Sequence, residues 1–85
     1  MPGGESSELE ASAPRRSELL YVRIADDIER RITSGELRAG ARLISERDLA
    51  DFYKCSYGTV RRVTKELRAR RLIQTIHGKG TFISG

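Results

Sequence analysis

The chain has 85 residues, enough for one small domain in which folding buries only about 60% of the surface that the unfolded chain exposes. Leu, Ile and Val supply most of the apolar residues and Trp is absent, which suits three short helices and a hairpin but argues against an enzyme with a walled-off active site. The net charge of +4 is unevenly spread: residues 1–17 hold two Arg against three Glu, residues 18–53 six Arg against eight acids, and residues 54–85 eight Lys and Arg against Glu66 alone.

A basic half on an otherwise acidic chain is the electrostatic footprint of a nucleic-acid binder. No apolar run approaches the ~20 residues of a membrane span, and the N-terminus lacks the basic-then-apolar order of a secretory signal, so no membrane partner and a cytoplasmic location are expected. Cys55, the one cysteine, has no disulfide partner and no ligand cluster around it; it reads as a small residue packed in a turn, and neither metal nor cofactor is expected.

Residues 1–17 are rich in Gly, Ser, Pro, Ala and Glu and cannot bury enough apolar surface to offset their ordering entropy, so a disordered tail is expected there, with the domain spanning 18–85. Leu20, Ile24, Ile28 and Ile32 recur at every fourth residue with charged residues between them, which predicts an amphipathic first helix stopped by Ser34-Gly35. A loop over ELRAGARLI follows, and Ser45 caps a second helix running to about Tyr53, with Leu49, Ala50 and Phe52 or Tyr53 turned inward. YKCS is a tight turn. Ser56 caps a third helix ending near Arg70, in which Val60, Val63 and Leu67 form one apolar edge and Arg61, Arg62, Lys65 and Arg68 cover the rest. LIQTI and TFIS then read as strands joined by the turn HGKG, where two glycines supply positive φ.

A short helix, a tight turn and a second helix with a basic face make a helix-turn-helix, and a glycine-rich hairpin directly behind it makes a wing. The expected fold is therefore mainly α with a small β-hairpin, a three-helix winged helix-turn-helix. Its recognition helix would span 57–70 and its wing 77–80, the helix entering a major groove about 12 Å wide.

These residues resemble the N-terminal domain of the gluconate-repressor (GntR) family. The likeness covers residues 19–83 and rests on Ser45-Glu46-Arg47, Thr59-Val60-Arg61 and Gly78-Lys79-Gly80-Thr81-Phe82 at their mutual distances. It implies sequence-specific binding of a double-stranded DNA operator in transcription control, as repression. Carried over residue by residue, it implies that Arg47 touches DNA from the start of the second helix and that Ser56, Tyr57, Gly58 and Thr59 meet phosphates and bases. Arg61 reads a base or clamps a phosphate, and His77 and Gly78 enter the minor groove. Charge alone adds Arg62, Lys65 and Lys79 as phosphate contacts, with Lys65 preferred to Arg68 because it lies nearer the inserted end.

Family members usually carry Arg where this chain has Tyr57, and Tyr cannot make the bidentate bond to guanine. Gly58 replaces a common Thr, Arg62 a common Glu, Ile44 a common Pro, and Arg71 the usual helix-ending Gly, which predicts backbone strain at Arg71. The family acts as homodimers on near-palindromic sites and continues into an effector-binding domain, which is expected to be absent from this chain, so a monomer or weak dimer is expected in solution. The rival class is a winged helix used for protein–protein contact, which would expose an apolar patch rather than a cationic face.

Overall fold

The spacing of isoleucines in the first apolar stretch builds helix α1, Leu20–Thr33. In the computed structural model, which describes residues 19–84, Ile24, Ala25 and Ile28 of α1 are buried. The tail expected over 1–17 lies outside the described residues. Leu20, expected on the same stripe, is 52% exposed. A stripe of every fourth residue drifts about 40° per step around a helix, so its first member swings to the edge of the buried face. The helix ends as expected at Ser34, where the Ser34 N–H donates to the Arg30 carbonyl and the Gly35 N–H to the Ile32 carbonyl.

The expected loop touches the hairpin through a single isolated bridge. Arg42 pairs antiparallel with Phe82, the Leu43 N–H donates to the Thr81 carbonyl and the Ile83 N–H to the Ala41 carbonyl, each at 2.8 Å. A single bridge is too short to leave an alternating pattern in the sequence.

Helix α2, Glu46–Tyr53, opens on Ser45, whose hydroxyl accepts the Asp48 N–H at 3.1 Å. Glu46 and Asp48 add negative charge at the positive end of the helix dipole. Leu49 and Ala50 are buried and Tyr53 is half-buried, but Phe52 is 57% exposed. Positions 49, 50 and 53 fill the inner edge of a two-turn helix, and Phe52 falls outside it. The turn out of α2 places Lys54 in the left-handed region at φ 55°, and the Cys55 N–H returns to the Ala50 carbonyl at 3.0 Å.

Helix α3, Tyr57–Ala69, begins at Ser56, whose Oγ accepts the Thr59 N–H at 3.1 Å. Arg71 has φ 63°, the strained conformation expected where a glycine would end the helix at no steric cost. Strands β1, Ile73–Ile76, and β2, Gly80–Ile83, pair antiparallel with Ile73 opposite Ile83 and Ile76 opposite Gly80.

Val60, Val63 and Leu67 put one side of α3 into the core, against Ile24 and Ile28 of α1, Leu49 of α2, Leu43, and Ile73 and Ile83 of the hairpin. The other side of α3 is therefore held outward by packing on three fronts. Three helices and a two-stranded hairpin in this order are a winged helix-turn-helix. Among the described residues no helix is long and apolar enough to cross a membrane.

Candidate nucleic-acid interface

The outward side of α3 carries Tyr57, Gly58, Arg61, Arg62, Lys65 and Arg68, all exposed. Tyr57 leads the helix at 52% exposure. Ser56 and Thr59 are tied to each other: beyond the cap bond, their hydroxyls lie 3.1 Å apart, so both help hold the helix start in place. The first N–H groups of α3 point the same way as its leading residues, which makes this end electropositive apart from any side chain. Arg47 stands exposed in the first turn of α2. It pairs with neither Asp48 nor Asp51 among the described residues.

The wing tip is closed by the Lys79 N–H, which donates to the Ile76 carbonyl at 2.9 Å. Gly78 turns the chain at φ 77°, and His77, Gly78 and Lys79 are exposed there. Gly80 has φ 125°, a backbone conformation that favours glycine, and a Cβ on it would sit 2.7 Å from Nε of the flexible Arg42 side chain, which would have to move aside.

Charge pairing divides the molecule. Among the described residues every ion pair belongs to Arg30, Arg31 or Arg70. Arg30 and Arg31 hold Asp27 at 2.6 and 2.9 Å, and Arg31 also holds Glu36 at 2.6 Å. The Tyr53 hydroxyl donates to Asp27 at 2.7 Å; that bond first, and then Arg31, keeps the Asp27 carboxyl below its ordinary range. Burial, and then the same bond to Asp27, pushes the Tyr53 hydroxyl above its ordinary range. At the far end of α3, Arg70 contacts Asp26 and Glu29 at 2.8 Å and Glu66 at 2.9 Å. Burial works against the Arg70 charge, but bonds to Glu66, Asp26 and Glu29 outweigh it and raise its pKa. By contrast, Arg47, Arg61, Arg62, Lys65, Arg68 and Lys79 have no carboxylate partner among the described residues.

Within the unpaired set the structure draws distinctions that the sequence did not. Arg62 leans back onto α1, with its guanidinium carbon 5.3 Å from the centre of the Tyr21 ring. Lys65 lines a shallow hollow with Tyr21, Arg62 and Glu66, on that same side. Arg68 turns the opposite way, towards the wing, where its Nε lies 3.4 Å from Thr75 Oγ1. An open cleft of about 480 Å³ runs between the start of α2, the middle of α3 and the wing, lined by Ser45, Thr64, Arg68, Thr81 and Arg42 among others. Arg42 and Arg68 are cations of this region that the sequence reading left out of the interface. For Arg68 a signal was present, because it lies seven residues, or two helical turns, after Arg61.

The chain resembles known proteins along most of its described length. It is 34% identical over 71 residues to the HTH-type transcriptional repressor YtrA of Bacillus subtilis (strain 168), covering 84% of this chain and 55% of that protein. It is 34% identical over 64 residues to the HTH-type transcriptional regulator SmoD of Agrobacterium fabrum (strain C58 / ATCC 33970), covering 75% of this chain and 27% of that protein. The crystal structure of a transcriptional regulator from Oenococcus oeni superposes with a TM-score of 0.77 and 35% identity over 93% of this chain and 64% of that one. The chain thus spans 55% of one curated relative and 27% of the other. With the family model of the bacterial regulatory proteins of the gntR family matching residues 20–83, this chain belongs to the GntR family.

Proposed function

We propose that this chain is the operator-reading module of a bacterial transcription regulator, a repressor, working in the cytoplasm. The outward face of α3 enters the major groove of double-stranded DNA, with Tyr57, Gly58 and Arg61 towards base edges and Ser56, Thr59 and Lys65 towards phosphates. Arg47 contacts DNA from the start of α2, and Arg62 contributes at the rim. His77, Gly78 and Lys79 meet the minor groove and its phosphates.

One observation carries this reading: Arg30 and Arg31 of α1 and Arg70 at the end of α3 are neutralised by carboxylates, while the cations of the proposed face have no carboxylate partner among the described residues. Cations without internal partners are the ones that can exchange condensed counterions for phosphates. The GntR membership and the regulator names of the relatives point to the same function; no catalytic role is proposed.

Two such modules on a near-palindromic site would bind as a homodimer, one per half-site. In the longer relatives the remaining length has room for a separate domain, and we propose that effector binding and tight dimerisation belong outside residues 19–84.

The test is a salt series on a duplex selected from a random pool. If about six phosphates are neutralised, log K falls against log salt with a slope near −5. Binding that ignores salt would favour the protein–protein reading instead. Sedimentation without DNA is expected to show a monomer or a weak dimer.

A further inference from the structure

Arg68 stands outside the residues that the sequence assigns to the interface, and its surroundings single it out. It leaves α3 two turns after Arg61 and so on nearly the same edge of the helix. That edge faces the wing. Arg68 Nε approaches Thr75 Oγ1 of β1 at 3.4 Å, and Thr75 Oγ1 lies 3.2 Å from Thr81 Oγ1 of β2. The two hydroxyls form a rung across the hairpin on which one end of the guanidinium rests. Its terminal nitrogens have no carboxylate partner among the described residues, and the side chain lines the cleft between α2, α3 and the wing.

The cleft is not uniformly cationic. Glu46 and Asp48 at the start of α2 also line it, neither within ion-pair distance of Arg68, while Arg42 approaches over Gly80. An anion entering here is repelled by two carboxylates unless a fixed cation offsets them. A guanidinium held by its Nε, with its other nitrogens outward, is suited to that task, because its planar fork matches a phosphate and its orientation is already set.

We propose that Arg68 is a phosphate anchor at the junction of α3 and the wing, holding the DNA strand that separates the major groove read by α3 from the minor groove met by the wing tip. The inference rests on the DNA-binding function proposed above. A protein that places adjacent elements in neighbouring grooves must cover the one sugar–phosphate backbone between them, and Arg68 is where α3 and the hairpin meet. The Thr75–Thr81 rung is a positioning device for this contact.

The test uses the 85-residue chain and a fluorescein-labelled duplex selected from a random pool, with anisotropy read across a salt series. Arg68→Met is compared with Arg38→Met, an equal loss of charge near the base of the hairpin, where the Gly40 N–H reaches the Ile83 carbonyl. Arg68→Met is expected to weaken binding about 3- to 10-fold on every duplex and to lower the salt slope by about one, while Arg38→Met changes neither. Thr75→Val keeps the charge and removes the rung; it is expected to weaken binding about 2- to 3-fold with the slope unchanged, as for a mispositioned charge. A methylphosphonate at the contacted linkage should weaken wild type but not Arg68→Met. If Arg68→Met matches Arg38→Met in affinity and slope while both bind the selected duplex, the anchor is wrong and the DNA-binding function stands. If wild type binds no duplex, both fall.

Discussion

The two arginines in the last turn of α1 and those of the outward face of α3 are chemically identical and structurally opposite. Arg30 and Arg31 are occupied by Asp27, one turn back on the same helix and also bonded by the Tyr53 hydroxyl, and Arg31 by Glu36 in the loop that follows. Arg61, at the centre of the α3 face, lends only its backbone carbonyl, to the Thr64 hydroxyl at 3.0 Å, and leaves its side chain in solvent. The first group fastens α1 to itself and to the loop that follows it. The second is unpaired, and repulsion among unpaired cations is a cost that a purely structural surface would have no reason to carry. The difference teaches that net charge is a poor guide to an interface, and that the unpaired share of the charge is a better one.

The comparison is broken most directly at Arg61. Arg61→Ala is expected to cost about 1–3 kcal/mol of binding to a selected duplex while leaving the melting temperature unchanged, read by anisotropy and thermal denaturation. Loss concentrated at one base pair marks a base reader; equal loss on all sequences marks a phosphate contact. A fall in melting temperature comparable to that of a core substitution would remove Arg61 from the unpaired class.

Arg70→Met is the mirror experiment. Arg70 is only 21% exposed, and its removal leaves Asp26, Glu29 and Glu66 facing one another. The expected loss is about 1–2 kcal/mol of folding stability, below the value for a fully buried pair because two of the partners are about half exposed. Binding to DNA and its salt slope should stay as in wild type once the protein is folded. A lowered slope would show that Arg70 reaches phosphate despite its three carboxylates.

Much of this division was written in the sequence, and its gaps have physical causes. Serines 45 and 56 announce two helix starts because a hydroxyl there satisfies a free N–H, and both do so. The wing is legible from Gly78 and Gly80 because no other residue takes their backbone conformations cheaply. The sequence leaves open which of Phe52 and Tyr53 turns inward, and the structure selects Tyr53 because α2 is too short to bury both rings; Phe52 sits edge-on to Tyr53 at 4.9 Å, with the Arg31 guanidinium 5.3 Å from its centre. Lys54 takes a left-handed conformation in a turn that the sequence shows only as short. Pairing itself is the least legible layer. Arg70 meets Glu29 across 41 positions of chain, and no local spacing encodes such a contact.

The fastened half also titrates. Asp27 is held below its ordinary range in the folded protein, so the unfolded chain binds its proton more readily than the folded one. Its contribution to stability is therefore complete above the ordinary carboxylate pKa of about 4 and is lost as pH falls through the lower folded value. Asp27→Asn is expected to cost about 0.5–1 kcal/mol at pH 7, a modest amount for partly exposed bonds, with the gap from wild type closing as pH falls through the lowered folded value. Urea denaturation at pH 7 and at pH 2.5 checks this. A gap that stays constant with pH would mean that shape rather than charge holds Tyr53 and Arg31 to α1.

Arg62 is the residue on which the two classes meet, and it sharpens the distinction best. It is exposed on α3 and has no carboxylate partner among the described residues, yet its guanidinium lies over Tyr21 of α1. An exposed cation–π contact contributes about 0.5 kcal/mol, enough to hold the side chain back from the duplex part of the time but not to prevent its release. Arg62→Ala should therefore cost about 0.5 kcal/mol of stability and reduce the salt slope by less than one. Tyr21→Leu keeps an apolar residue against α3 and removes the aromatic face, so it should free Arg62 for phosphate. In that background Arg62→Ala should lower the slope by a full unit. Measured together, the two substitutions form a cycle in which the effect of Arg62 on salt dependence grows when Tyr21 is absent. If the slope falls by one in the wild-type background already, Tyr21 restrains nothing and Arg62 belongs wholly with Arg61.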